Sequence, residues 1–325
     1  MDPIEQALLT TLPLTEKYDA TLKELLSNRQ FLSRILKRFV REYMDITLED
    51  IEKKYIEPDS ISVSKIGVGR DTTNIVGLCN EDVTKTEGIV QYDILFHTIY
   101  PDEKTSAGEQ KYIGIYINLE FQNDYYPGYP LETRAMFYVA RKLSSQLPYI
   151  NRNTNYACLQ KVYSIWLCIG DNVPKSRADT AVQYLIQKND LIGTCDVPEE
   201  YYDLMEVIMA YIRDDIAVTD TTMAILQAAC SKRLTRNEKL TIMKKNGMKI
   251  TKEIERKVDR MCTCGEAIQK QSFDQGINKF AELIQWLNSH GRADDIVKVS
   301  TDKDLREQLF KEMDNSTKST THHLT

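Results

Sequence analysis

Lys111-Tyr112-Ile113-Gly114-Ile115-Tyr116-Ile117-Asn118-Leu119-Glu120-Phe121-Gln122 is apolar almost to its end and closes on Glu-Phe-Gln. A run this rich in isoleucine and tyrosine predicts a central strand buried on both faces. Alternation along the strand puts Glu120 and Gln122 on one face and Phe121 on the other. Two polar groups at the end of such a strand need partners, because burying one unpaired costs about 1–3 kcal/mol. The upstream run 88–100 is also rich in β-branched and aromatic residues, predicts another strand, and holds Asp93 between Tyr92 and Ile94. Paired as a hairpin through the polar loop 101–110, the two strands bring Asp93 toward Glu120. Neighbouring carboxylates repel unless they share a proton or a cation, and Mg²⁺ or Mn²⁺ is one solution. Strand ends at solvent, or pairing with arginines, are the other.

Downstream, Asn123, Asp124, Pro127, Gly128 and Pro130 mark a turn. Residues 131–147 predict a helix and 161–170 a last buried strand. Upstream, 19–44 predict one amphipathic helix, with Leu22, Leu25, Leu26, Leu32, Ile35 and Leu36 on its stripe and Arg34, Lys37, Arg38 and Arg41 off it. Residues 59–79 predict short strands around Gly67-Val68-Gly69. This order is that of a mixed α/β domain. Beyond residue 200 strand signals thin, and 201–230 predict helix. Phe273, Ile277, Phe280, Ile284 and Leu287 form a short heptad seam. Residues 303–313 predict a short helix, with 293–313 as a helix-turn-helix mimic in one reading, and 314–325 predict disorder. The expected division is an α/β domain over 1–215, a helical region over 216–313 and a tail.

The chain of 325 residues is 42% hydrophobic, enough for one sizeable core and a smaller unit. No apolar run reaches the roughly 20 residues of a membrane span, and no secretory signal opens the chain. Seven cysteines, odd in number and scattered, argue for a reducing compartment and a cytoplasmic protein rather than a disulfide framework. Cys262-Thr263-Cys264 lacks the second ligand pair of a zinc site. The net charge of −6 counts against a nucleic-acid binder, yet residues 231–260 hold eleven Lys and Arg against four acids. Lys232, Arg233, Arg236, Lys244 and Lys245 are the candidate phosphate contacts in that run; a solvated helical surface is the alternative.

Asp93 in Gln91-Tyr92-Asp93-Ile94, and Ile117 through Leu131 with its Glu120-Phe121-Gln122-Asn123-Asp124-Tyr125-Tyr126-Pro127-Gly128-Tyr129-Pro130 block, closely resemble the PD-(D/E)XK nuclease family transposases, which are related to recombination-promoting nucleases. Arg134 to Gln146 and Lys161-Val162-Tyr163-Ser164-Ile165-Trp166 carry the likeness further, over roughly residues 15–215. The resemblance implies a restriction-endonuclease-like core, a mixed sheet flanked by helices. It implies Asp93, Glu120 and the backbone carbonyl of Phe121 as ligands of Mg²⁺ or Mn²⁺. Gln122 stands where the wider class has lysine; a neutral amide orients water but supplies no charge. Arg134, Tyr138 and Arg141 form one stripe on the next helix, and an arginine there can supply that charge or form surface pairs. Many class members add a Glu from the first helix, for which Glu42 is the candidate. The expected activity is metal-dependent hydrolysis of DNA phosphodiesters, linked to mobile elements or recombination, in a protein that a second copy would equip to cut both strands. The alternative is a nuclease fold kept for nucleic-acid binding or regulation.

Overall fold

A computed structural model describes residues 13–64, 81–84, 88–101, 112–147 and 150–321. The chain separates into residues 1–263 and 264–325.

The first unit is built on a six-stranded mixed sheet. Its strands are β1 (Ser62–Val63), β4 (Ile94–Pro101), β5 (Tyr112–Gln122), β6 (Lys161–Ile169), β7 (Thr180–Leu185) and β8 (Met205–Ile212), in the order β1-β4-β5-β6-β8-β7. A separate hairpin pairs β2 (Glu81–Thr84) with β3 (Gly88–Gln91). β4 and β5 are antiparallel, with Ile94 opposite Leu119. β5, β6 and β8 run parallel. All nine residues of β6 are buried, Lys161 and Ser164 among them, as expected of a central parallel strand. Parallel neighbours need a crossover, and α3 (Leu131–Ser145) supplies it between β5 and β6. Leu131, Ala135 and Val139 of that helix share a core with Val162, Trp166, Val207 and Met209 of the sheet.

The expected helix over 19–44 is two helices, α1 (Leu14–Leu26) and α2 (Arg29–Phe39). Ser27 ends the first, and the Asn28 side chain caps the second by accepting the Gln30 N–H at 3.0 Å. Arg34 is buried, with its guanidinium on the carbonyls of Gln30 and Gly247 at 2.9 and 2.5 Å. The run 88–100 is likewise broken, with Tyr92 and Asp93 between β3 and β4. Of the strands expected over 59–79, β1 is described; residues 65–80, and the loop 102–111, lie outside the described residues.

The strand at 161–170 is not the last. β8 lies inside 201–230, the segment expected to be helical, and β7 forms the antiparallel edge beside it. The helical continuation begins at α4 (Thr221–Cys230), followed by α5 (Arg236–Lys245) and α6 (Lys252–Ser289). The expected boundary at 215 moves because this continuation is tied to α1 and α2. Tyr18 Oη donates to the Cys230 carbonyl at 2.8 Å, and Gln30 and Lys249 exchange two hydrogen bonds at 2.9 Å.

In the second unit, α6 continues to Ser289 and is followed by α7 (Ala293–Thr301) and α8 (Lys303–Thr321). Leu283, Leu287, Val299, Leu309 and Met313 form its core. The heptad seam is thus drawn inward at Leu287, with Leu283 in place of Ile284, while Phe273 and Ile277 stay exposed. One residue, Asp302, separates α7 from α8, which is too little for the three- or four-residue turn of a helix-turn-helix. The expected tail is helical as far as Thr321, and residues 322–325 lie outside the described residues. Among the described residues no helix is long and apolar enough to cross a membrane.

Candidate active site

Asp93 and Glu120 meet because the chain breaks before β4 and because Leu119, opposite Ile94, sets the register. The Asp93 N–H donates to Glu120 Oε1 at 3.2 Å, and the Phe121 N–H donates to Asp93 Oδ2 at 2.9 Å. Each carboxylate is therefore held by a backbone N–H beside the other, Asp93 itself for Glu120 and Phe121 of β5 for Asp93. Glu120 shares the α3 face of the sheet with its register partner Trp166. It is 4% exposed.

Two residues that the sequence reading did not weigh complete the group. Lys23 of α1 places Nζ 2.7 Å from Asp93 Oδ1 and 2.7 Å from Asp19 Oδ2. Lys23 is itself buried. The legible signal was a lysine beside Leu22 on an apolar stripe, one helical turn after an aspartate.

These residues line a cleft of about 630 Å³ together with Gln122, Arg134 and Tyr138. Gln122 Nε2 donates to the Asp124 carbonyl. Arg134 donates to the hydroxyls of Tyr129 and Tyr138 at 2.9 and 2.8 Å and lies 5.4 Å over the Trp166 ring. The cleft thus joins Asp93, Glu120, Gln122, Arg134 and Tyr138 as expected from sequence, but neither Glu42 nor Arg141 lines it. Glu42 falls in the turn after α2 because of the break at Asn28, and it pairs with Lys161 at 3.1 Å and accepts from Tyr163 Oη at 2.6 Å. Arg141, two turns beyond Arg134, is buried. Asp19 of α1, and not Glu42, is the carboxylate that reaches the cleft from the first helices.

Burial dominates the electrostatics. It pushes the Glu120 carboxyl well above the usual carboxylate range, and the Asp93 charge pushes it further; the Asp93 N–H, Arg134 and Lys23 oppose this only in part. Asp93 is raised by burial too, against the pull of Lys23 and the Phe121 N–H. Lys23 is held above its ordinary value, because Asp93 and Asp19 outweigh its own burial. The site therefore keeps two firm cations, Lys23 and Arg134, and two carboxyls that resist carrying two full charges.

Among the described residues no group of three or more His, Cys, Asp or Glu is arranged to hold a metal. The oxygen donors that line the cleft include the carboxylates of Asp93 and Glu120, the adjoining Phe121 and Gln122, and Asp19, which Lys23 already engages.

Most of the basic run is used internally. Arg233 pairs with Asp171 at 2.6 Å, Arg236 pairs with Asp259, and Lys232 lies 5.5 Å over the Tyr18 ring. Lys239 is buried on the carbonyls of Ala229 and Ser231. Lys244 and Lys245 are exposed.

Comparison with protein-family models, with curated proteins and with solved structures finds no match.

Proposed function

We propose that the first unit is a restriction-endonuclease-like core whose cleft hydrolyses DNA phosphodiesters with Mg²⁺ or Mn²⁺. The observation that carries this reading is Glu120, a nearly buried carboxyl fixed beside a second carboxylate and open to a cleft. Such a pair needs a proton or a cation, and a divalent ion satisfies both groups at once. The donor set suits Mg²⁺, which binds through one or two carboxylates and keeps several waters. Asp93, Glu120 and the Phe121 carbonyl would hold it. When bound, it would polarise the phosphate and lower the pKa of an attacking water.

The chain's own residues divide the remaining work. Lys23 supplies the positive charge that a neutral Gln122 cannot, and Asp19 holds its ammonium in place. Gln122 is left to orient water through its amide oxygen. Arg134, aimed from α3, faces the phosphate. A link to mobile elements or recombination rests on the resemblance of the Asp93 and Glu120 blocks alone.

A second reading has its own support. The Lys23 contact already neutralises Asp93 without a metal, as suits a nucleic-acid-binding or regulatory protein that has lost cleavage. Supercoiled plasmid incubated with Mg²⁺, Mn²⁺ or EDTA separates the two. The nuclease reading expects metal-dependent nicking that falls at least about a hundredfold in Glu120→Ala. DNA binding with no nicking under any metal would establish the second reading instead.

A further inference from the structure

Directly after Gln122 the chain turns through residues 123–130 and opens a second concavity of about 460 Å³ beside the cleft. Tyr125, Tyr126, Tyr129 and Pro130 form much of its wall. Tyr126 is 67% exposed and Tyr129 is 47% exposed. The Tyr125 and Tyr126 rings meet edge to face at 4.7 Å and 85°, which fixes the angle at which Tyr126 stands out. Gly128, at φ +95°, gives the turn a backbone that other residues rarely adopt. Rings held out to solvent at fixed angles on a concave wall form a stacking surface.

Arg134 joins this pocket to the carboxylate cleft. It lines the cleft, yet one of its donors goes to the hydroxyl of Tyr129, in the pocket wall. Its guanidinium rests on the rings of Tyr129, Tyr138 and Trp166 and, among the described residues, has no carboxylate within ion-pair distance. A half-buried cation that feels the Glu120 charge but, among the described residues, is in no ion pair, and that stands between a carboxylate pair and a tyrosine wall, suits a phosphate whose base lies on the tyrosines.

We infer that the tyrosine pocket is a subsite for an unpaired nucleobase of single-stranded or frayed DNA, with the adjoining phosphate on Arg134. The inference rests on the reading of the cleft as a phosphodiester site. Bases within a duplex are covered by their stacked neighbours, so a paired substrate has no face to offer Tyr126. The pocket therefore selects unpaired strands, through a ring contact that every base can make.

The test is fluorescence anisotropy of a labelled oligothymidine and of a blunt duplex of equal length. The full chain is used in EDTA, so that nothing is cut. The oligothymidine is expected to bind more tightly than the duplex. Tyr126→Ala is expected to weaken it on the order of tenfold, and Tyr126→Phe to leave it unchanged, since stacking needs the ring and not the hydroxyl. A preference for duplex, no effect of Tyr126→Ala, or an equal loss in Tyr126→Phe overturns the subsite. Metal-dependent nicking, scored separately, keeps the two readings distinct. Tyr126-dependent binding without nicking retains the subsite and removes the nuclease. Nicking with Tyr126-independent binding does the reverse.

Discussion

Glu120 bears the sharpest electrostatic conflict in the cleft, and its consequence for stability has a definite sign. Its folded pKa lies above its unfolded value, which is about 4.3. Its contribution to stability is therefore fully present below that unfolded value and is lost as pH rises toward the folded one. Glu120→Gln keeps the shape and removes the charge. In EDTA at neutral pH the variant is expected to melt a few degrees above the natural chain, with the gap closing near pH 4. Mg²⁺ should raise Tm of the natural chain and leave the variant unmoved. Thermal scans at both pH values check this, and a variant that melts lower at neutral pH would falsify the assignment. Lys23 is the counterpart. Lys23→Met leaves Asp93 and Asp19 without their shared cation, at a cost of about 2 kcal/mol in urea unfolding. Adding Asp93→Asn should recover most of that loss, which a double-mutant cycle measures directly.

At the scale of elements, β8 and the α1–α2 break explain what the sequence disclosed and what it withheld. The β4–β5 hairpin and the α3 crossover were legible, because β4 and β5 are rich in β-branched and aromatic residues, α3 carries a helical period, and turn residues separate them. With them came Asp93, Glu120, Gln122, Arg134 and Tyr138. Met205–Ile212 was not legible: an eight-residue apolar run buried on both sides has no period, and its Met, Glu and Ala favour helix. The gap at Ser27-Asn28 is hidden because apolar residues resume on both sides of it, and so Glu42, expected at the margin of one long helix, lies beyond the end of α2. Lys23 was hidden for another reason, since its partner Asp93 is distant in sequence and adjacent only once α1 reaches the sheet. Glu42 and β8 belong instead to a buried ionic network. Glu206, 1% exposed, pairs with Lys161 and accepts from Tyr163 Oη at 3.0 Å, while Asp203 meets Lys161 at 2.6 Å. Lys161→Met removes the buried cation of this group and leaves Asp203 and Glu206 to Arg41, and should destabilise the first unit by about 3 kcal/mol. Denaturant titration followed by Trp166 fluorescence in a Trp286→Phe background, which removes the chain's other tryptophan, reports it; a loss below about 1 kcal/mol would mean that solvent already screens the group.

For the whole molecule, the division at 263 makes a different claim from a division at 215. Helices α4 and α5 and the start of α6 belong to the α/β unit: Cys230 at the end of α4, and Gly247 and Lys249 in the link from α5 to α6, accept from Tyr18, Arg34 and Gln30, Asp220 pairs with Arg38 at 2.6 Å, and Lys257 of α6 donates to the Glu24 carbonyl at 2.9 Å. A chain ended at residue 215 loses those partners and leaves buried donors on α1 and α2 exposed or unsatisfied. A chain ended at residue 263 keeps all of them. The shorter chain is expected to aggregate or melt without a cooperative transition, and the longer one to melt cooperatively and keep the Mg²⁺-dependent rise in Tm. The second unit offers the converse test in the full chain. Leu287→Ala opens a cavity in a core made only of α6, α7 and α8, at a cost of about 2–5 kcal/mol to that unit. Circular dichroism and the fluorescence of Trp286, which packs on this core, should then show early loss of the second unit, with the Mg²⁺ response unchanged. Cooperative melting of the chain ended at 215, or loss of the Mg²⁺ response in Leu287→Ala, would show that the two units are not divided at residue 263.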